Sequence, residues 1–311
     1  MTIIDEAIST SPPLTITAPT RPVGLVRDLI ALIRPYQWVK NLLVVPLALL
    51  DPAALRAGPL FAVGWAVLGF ILASSAVYII NDIADRHRDR VHPKKRLRPI
   101  ASGRVPVPLA YAYGALVSAA LVAVVLGGPA IAWWPLGVYL VLNVAYTRGL
   151  KHVPLVDVFV VALGFVLRVV QGYLAAEVPV QSWLLIAVFA VCLLMILGKR
   201  RHEVGAGGLA HRPSLRGYSS QYLEYLIVLC AVLAISAFLF HLNTAVPPPY
   251  TTVALLGSVP FALFGLARYL QVVVVETSGG EPVRVLLRDR AMLINSTLWA
   301  ALIGSTLFAA H

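Results

Sequence analysis

The chain has 311 residues, of which 59% are hydrophobic and only 13% charged, and its mean hydropathy is +0.83. A soluble domain carries roughly a quarter of its residues charged, so that class is excluded. The net charge of +11 does not point to nucleic acid, because the cations fall in loops between long apolar runs, a pattern of membrane topology.

Residues 1–24 are rich in Ser, Thr and Pro, contain Asp5 and Glu6, and lack a basic segment followed by an apolar one. They read as a disordered tail and not as a signal peptide, which leaves residues 25–311 as one transmembrane domain. Nine apolar spans follow, at 38–55, 60–81, 107–127, 130–147, 153–176, 182–198, 222–242, 250–271 and 291–310. Runs of about 20 residues match the hydrocarbon thickness at 1.5 Å per residue. They are filled with Ala, Leu and Val without alternation, so a β-barrel is excluded and the expected fold is an all-α, polytopic membrane bundle. Pro46, Pro129 and Pro135 make the first, third and fourth spans the weakest. Cys192 and Cys230 lie inside spans and read as small buried hydrophobes. The seven histidines show no zinc-ligand spacing.

Of the 25 Lys and Arg residues, 23 fall before the first span or in the even-numbered loops. Arg56 alone falls on the opposite side, and Arg168 is inside a span. The positive-inside rule then puts the N-terminus and the even-numbered loops in the cytoplasm and the C-terminus outside.

The chemistry-bearing residues sit on that basic side. Asn81, Asp85 and Asp89 recur every four residues, with Asp82 three before Asp85, so a helix continuing from the second span carries them on one broad face. Hard oxygen donors of this kind suit Mg²⁺, whose octahedron substrate phosphates complete. Arg86, Arg88 and Arg90 lie on other faces, available to neutralise the carboxylates or to clamp phosphate. Lys94, Lys95, Arg96 and Arg98 follow; they read either as topology and lipid anchors or as a cradle for a polyphosphate. At the entry to the first span stand Arg34, Gln37, Trp38, Lys40 and Asn41; polar groups there face a cavity. Tyr146 to Lys151 form a third polar segment, followed by Asp157 and Arg168 inside an apolar run. Burying either charge unpaired is costly, so each should meet a polar site or a partner. Lys199, Arg200 and Arg201 end the sixth span.

The run Asn81, Asp82, Asp85, Asp89 resembles the first Asp-rich motif of the UbiA superfamily of intramembrane prenyltransferases. With Arg90, His92, Pro93, Lys95, Arg98, Pro99, Ile100, Ala101 and Gly103, and with Arg34 to Asn41, Leu150 to His152 and Gly198 to Arg200, it is most similar to the branch of decaprenyl-phosphate phosphoribosyltransferases. The resemblance spans about residues 30–310. Aromatic prenyltransferases of the superfamily carry a second Asp-rich motif, where this chain has only Asp157.

The resemblance implies nine helices and a polar chamber on the cytoplasmic side of the plasma (inner) membrane. It implies Mg²⁺-dependent transfer of 5-phosphoribosyl from phosphoribosyl pyrophosphate to a polyprenyl phosphate in cell-wall arabinan precursor synthesis. Prenyl transfer to an aromatic or other small acceptor is the alternative. Asn81, Asp82, Asp85 and Asp89 would hold the metal, with the three Asp residues as the catalytic set. Arg34, Gln37, Lys40, Arg90, Lys95, Arg98, Tyr146, Lys151 and Lys199 would bind substrate phosphates. Lys40 and Lys151 are the expected pocket for the donor's 5-phosphate. The polyprenyl tail would lie in a lateral groove between spans, and a homo-oligomer is compatible with the sequence.

Overall fold

The computed structural model of the protein describes residues 22–46, 57–206, 213–275 and 288–310, and every regular element within them is helical. In lipid the backbone must satisfy its own polar groups, which helices do within each segment. The elements are α1 (Pro22–Ile33), a 3₁₀ segment (Pro35–Val44), α2 (Ala57–Ala84), α3 (Arg86–Val91), α4 (Val107–Gly127), α5 (Trp134–Arg148), α6 (Val156–Ala175), α7 (Ser182–Gly205), α8 (Ser220–Ala245), α9 (Tyr250–Leu270) and α10 (Arg290–Ala310). Helix α1 starts three residues inside the expected tail, the rest of which lies outside the described residues.

Among the described residues six helices are long and apolar enough to cross a membrane: α2 from Gly58, α4, α6, α7, α8, and α9 with the π-helical turn Gln271–Val275 that extends it. The expected fourth span is α5, which has 15 residues, about 22 Å of helix at 1.5 Å per residue. The last expected span is α10, with 21 residues. The first is corrected in part. Its opening residues form a 3₁₀ helix that ends at Val44, and residues 47–56 lie outside the described residues. Pro46 cannot donate the backbone bond that would carry a helix forward.

The three largest apolar clusters among the described residues hold the bundle. Leu32 of α1, Ile79 and Ile83 of α2 and Ala110 and Val117 of α4 bury Ile100 and Val105, which pins the loop after α3 against the helices. Phe70 of α2, Tyr139 of α5 and Leu167 of α6 enclose Val44. Val158 of α6, Leu193 and Leu197 of α7, Ile227 of α8 and Tyr269 of α9 form the third. Within lipid, helices are held by close packing, and small residues permit it. Gly172 is the extreme case: a Cβ there would lie 1.6 Å from the Val44 carbonyl oxygen, so the 3₁₀ segment lies directly on α6.

Candidate active site

Helix α2 does not run on through the acidic motif as expected. It ends at Ala84, Asp85 turns at φ −90° and ψ 2°, and α3 resumes at Arg86. The helical register nevertheless survives, because the Asp85 amide donates to the Asn81 carbonyl and the Asp89 amide to that of Asp85, both at 2.9 Å.

Each carboxylate is met by a cation from a distant segment. Asp82, 3% exposed, accepts from Arg34 at 2.5 Å and from Arg98 at 3.0 Å on the same oxygen. Arg98 also donates to Asp89, equally buried, at 2.7 Å. Lys151 donates to half-buried Asp85 at 2.6 Å. The Thr147 hydroxyl donates to the side-chain oxygen of Asn81. The site thus gathers the start of the 3₁₀ segment, the α2–α3 junction, the loop after α3 and the end of α5 at one end of the bundle. Pairs this buried are costly to break from one side, about 3–5 kcal/mol, because the remaining charge is left uncompensated.

The neighbouring arginines do not supply these partners. Arg86 donates to the Ile83 carbonyl at 2.9 Å, Arg88 contacts the His152 ring at 3.1 Å, and Arg90, exposed, donates to the Ala101 carbonyl at 3.2 Å. They lie on the wrong side of α3 for the acidic face. Lys95 and Lys199 are exposed and Tyr146 is half-buried.

Arg34 is held in the left-handed region, φ 49° and ψ 64°, immediately before Pro35. That conformation is unfavourable for a residue with a Cβ, and strain of this kind collects at functional sites. Its guanidinium lies 4.8 Å from the centre of the Tyr78 ring.

The 3₁₀ helix beyond it has three residues per turn, so Arg34, Gln37 and Lys40 follow one another along one face. The side-chain oxygen of Gln37 is buried with no hydrogen-bond partner among the described residues. Lys40 is within electrostatic reach of Lys199, Arg168 and Arg34. Asn41, 1% exposed, accepts from Arg168 Nε at 2.9 Å and donates to Ser74 Oγ at 3.3 Å.

Arg168, 5% exposed in the middle of α6, also donates to the Gly164 carbonyl at 2.6 Å and to the Tyr139 hydroxyl at 3.2 Å. Phe70, Tyr139 and Phe165 turn ring faces to it at 5.4, 4.6 and 5.4 Å. Its partners are polar, as its position in an apolar run required, but none among the described residues is a carboxylate.

Asp157 belongs to a separate node. It is fully buried and accepts from Arg200 Nε at 3.1 Å, Ser214 Oγ at 3.2 Å and the Tyr218 hydroxyl at 2.8 Å. Burial, and then the bond to Asp157, push the Tyr218 hydroxyl pKa upward. Arg200 continues to Glu203 at 2.6 Å, and the Tyr218 hydroxyl accepts from the Leu155 amide at 2.6 Å. The node ties the residues before α8 to α6 and α7.

Among the described residues no three His, Cys, Asp or Glu side chains gather into a ready metal cage. The donor chemistry still fits Mg²⁺. The ion pairs use one oxygen each of Asp82, Asp85 and Asp89. Mg²⁺ takes one or two carboxylates and completes its shell with waters and substrate phosphates.

Reading the sequence missed Tyr139, Tyr78 and Ser74. Each is a hydroxyl in an apolar helix, where it is as compatible with lipid packing as with a site.

Residues 43–282 match the model of the UbiA prenyltransferase family. The chain is 36% identical, over 309 residues, to a decaprenyl-phosphate phosphoribosyltransferase of Mycobacterium tuberculosis, covering 91% of this chain and 95% of that one. It is 33% identical to a protein of the same description from Corynebacterium glutamicum, over 89% of this chain and 86% of that one. Among solved structures, a UbiA homolog from Archaeoglobus fulgidus bound to DMAPP and Mg²⁺ superposes with a TM-score of 0.68 at 17% identity, over 91% of this chain and all of that one.

Proposed function

The chain belongs to the UbiA prenyltransferase family, and from that premise we propose that it transfers 5-phosphoribosyl from phosphoribosyl pyrophosphate to decaprenyl phosphate, releasing pyrophosphate. The observation that carries the reading is similarity along nine tenths of the chain to enzymes described by that activity. The site agrees with it chemically. The bond from C1 of the ribose to the pyrophosphate oxygen breaks, the pyrophosphate leaves with the electron pair, and an oxygen of the acceptor phosphate takes its place on C1. The acceptor is a phosphate monoester, ionised at neutral pH with a second pKa of about 6. No protein base is needed, and none of the three aspartates is assigned that part.

Asp82, Asp85 and Asp89, with Asn81 beside them, would hold Mg²⁺. When bound, the ion supplies charge to the departing pyrophosphate. Arg34, Arg98 and Lys151 stand where their cations can pass from the carboxylates to phosphate oxygens. That exchange brings two like-charged substrates together without leaving a carboxylate bare. Prenyl transfer would need a long apolar chamber next to the diphosphate. The residues beyond Arg34 are instead Gln37, Lys40, Asn41 and Arg168, whose charges would repel a prenyl tail by their desolvation cost.

On this reading the site faces the cytoplasm at the plasma membrane. The polyprenyl tail would lie in the bilayer alongside the bundle. The test is incubation of the purified full chain with Mg²⁺, labelled phosphoribosyl pyrophosphate and decaprenyl phosphate, followed by lipid extraction and counting. Label in the lipid phase with an equal amount of released pyrophosphate is expected. No label there, together with pyrophosphate release from a prenyl diphosphate and an aromatic acceptor, would establish the alternative.

A further inference from the structure

The basic residues around the site divide into two sets. Arg34, Arg98 and Lys151 are each spent on a carboxylate. Lys40 and Arg168 are not: among the described residues neither forms an ion pair with an acid, although Arg168 is 5% exposed and Lys40 half-buried. They are joined structurally, since Asn41, the residue after Lys40, holds Arg168 Nε at 2.9 Å. An intramembrane cation without a counter-ion is expensive and is functional by default. The acceptors of Arg168 are a backbone carbonyl, an amide oxygen and a phenol, which occupy three of its five N–H donors and leave its charge uncompensated. Lys40 lies within electrostatic reach of Arg168, Lys199 and Arg34, and their mutual repulsion falls when an anion comes between them. One turn before Lys40 along the same face, the buried side-chain oxygen of Gln37 has no donor among the described residues. An anion bearing a hydroxyl group would satisfy both deficits at once.

We propose that Lys40 and Arg168, with Gln37, form a second anion pocket beside the carboxylate cluster, and that it takes a phosphate monoester. It rests on the phosphoribosyl-transfer reading, in which both substrates carry such a group, the donor at its 5-position and the acceptor at its head. Gln37 favours the donor, because its oxygen can accept from a ribose hydroxyl and a prenyl phosphate has none to give. Lys151, expected in this pocket from the sequence, donates to Asp85 at 2.6 Å, so the pocket is argued without it.

The experiment measures equilibrium binding to the purified full chain of three probes: ribose 5-phosphate, farnesyl phosphate, and inorganic pyrophosphate with Mg²⁺. For Lys40→Gln the affinity for at least one monoester should fall roughly ten- to a hundred-fold, the value of a charge-assisted contact, while Mg²⁺-pyrophosphate changes by less than about twofold. Loss confined to ribose 5-phosphate, repeated in Gln37→Met, assigns the pocket to the donor; loss confined to farnesyl phosphate assigns it to the acceptor, and either supports the pocket. Equal weakening of all three probes, no change in any, or a wild-type chain that binds neither monoester overturns it. Arg168→Gln is interpreted with its unfolding midpoint, and Lys40→Gln keeps the test decisive if that variant does not fold. Binding is read without turnover, so a failed pocket and a failed phosphoribosyl transfer are separate results.

Discussion

Asp85 and Asp89 have the same spacing role in the motif but different surroundings. Asp89 is buried under Arg98, whereas Asp85 is half-buried at the helix break and leans on Lys151. Asp85→Asn and Asp89→Asn should each remove nearly all turnover, since a neutral amide is a poor Mg²⁺ ligand and leaving-group stabilisation by the ion is worth several kcal/mol. Membrane insertion should survive in both. Assays across a Mg²⁺ titration check this, and near-normal activity of either variant at limiting Mg²⁺ would remove it from the metal set. At this scale the sequence was most informative about charge. A carboxylate or guanidinium within an apolar run has few affordable environments, so Asp82, Asp157 and Arg168 stand out by composition alone. Their partners do not: Arg34 and Arg98 lie 48 and 16 residues from Asp82, and only the fold decides that these, and not adjacent Arg86, reach it.

An element that carries part of the site is held by a close fit. The 3₁₀ segment rests on Gly172, where any side chain would strike the Val44 carbonyl. Gly172→Val should destabilise the protein by about 1–3 kcal/mol through overpacking. It should also lower activity by moving Arg34, Gln37 and Lys40, although none of them is altered. Unfolding midpoint and turnover measured together test this; lost stability with unchanged turnover would show that the segment can shift without harm. Asp289 caps α10, accepting from the Met292 amide at 2.9 Å and from Arg268 Nε and Nη2 at 3.0 and 2.7 Å. The Arg268 bond first, then the backbone bond, hold its pKa below the ordinary carboxylate value. A depressed folded-state pKa means that the stabilisation is present above the unfolded value, about 3.9, and is lost as pH falls through the lower folded one. Asp289→Asn should therefore melt earlier than the parent at neutral pH, and the gap should close below about pH 4; a gap independent of pH would assign the effect to the cap alone. The long runs α2, α4 and α6 to α9 were legible because length and hydropathy suffice to mark them. The 3₁₀ turn and the break at Asp85 were not, because both depend on backbone geometry at single residues.

Across the whole molecule, the expected loops meet where the charge count put them. The segment before the first span and the loops after the second and fourth all reach the aspartates. Arg201 of α7 bonds Glu224 of α8 and the Val273 carbonyl after α9, which puts those ends together as well. By the positive-inside rule, the partition of 23 of 25 basic residues predicts that this end lies in the cytoplasm. Reporters active only inside or only outside, fused after successive spans, should alternate, with a fusion after His311 outside. A cytoplasmic signal there would mean that one span is absent, with residues 38–55 or the short α5 the first to re-examine. The number of crossings was less legible than their polarity, because proline-interrupted and short helices lie at the boundary of what length can decide.

The pairing of every motif aspartate with a cation has a consequence for selectivity in time. Three bare carboxylates at a membrane face would be a standing trap for any divalent ion that drifted past. Here a lone ion must compete with Arg34, Arg98 and Lys151 for the carboxylates and endure their repulsion, whereas an ion arriving with a diphosphate brings those cations an anion of their own. On the proposed reading the resting protein would act as a coincidence detector, answering metal and polyphosphate together more readily than either one alone.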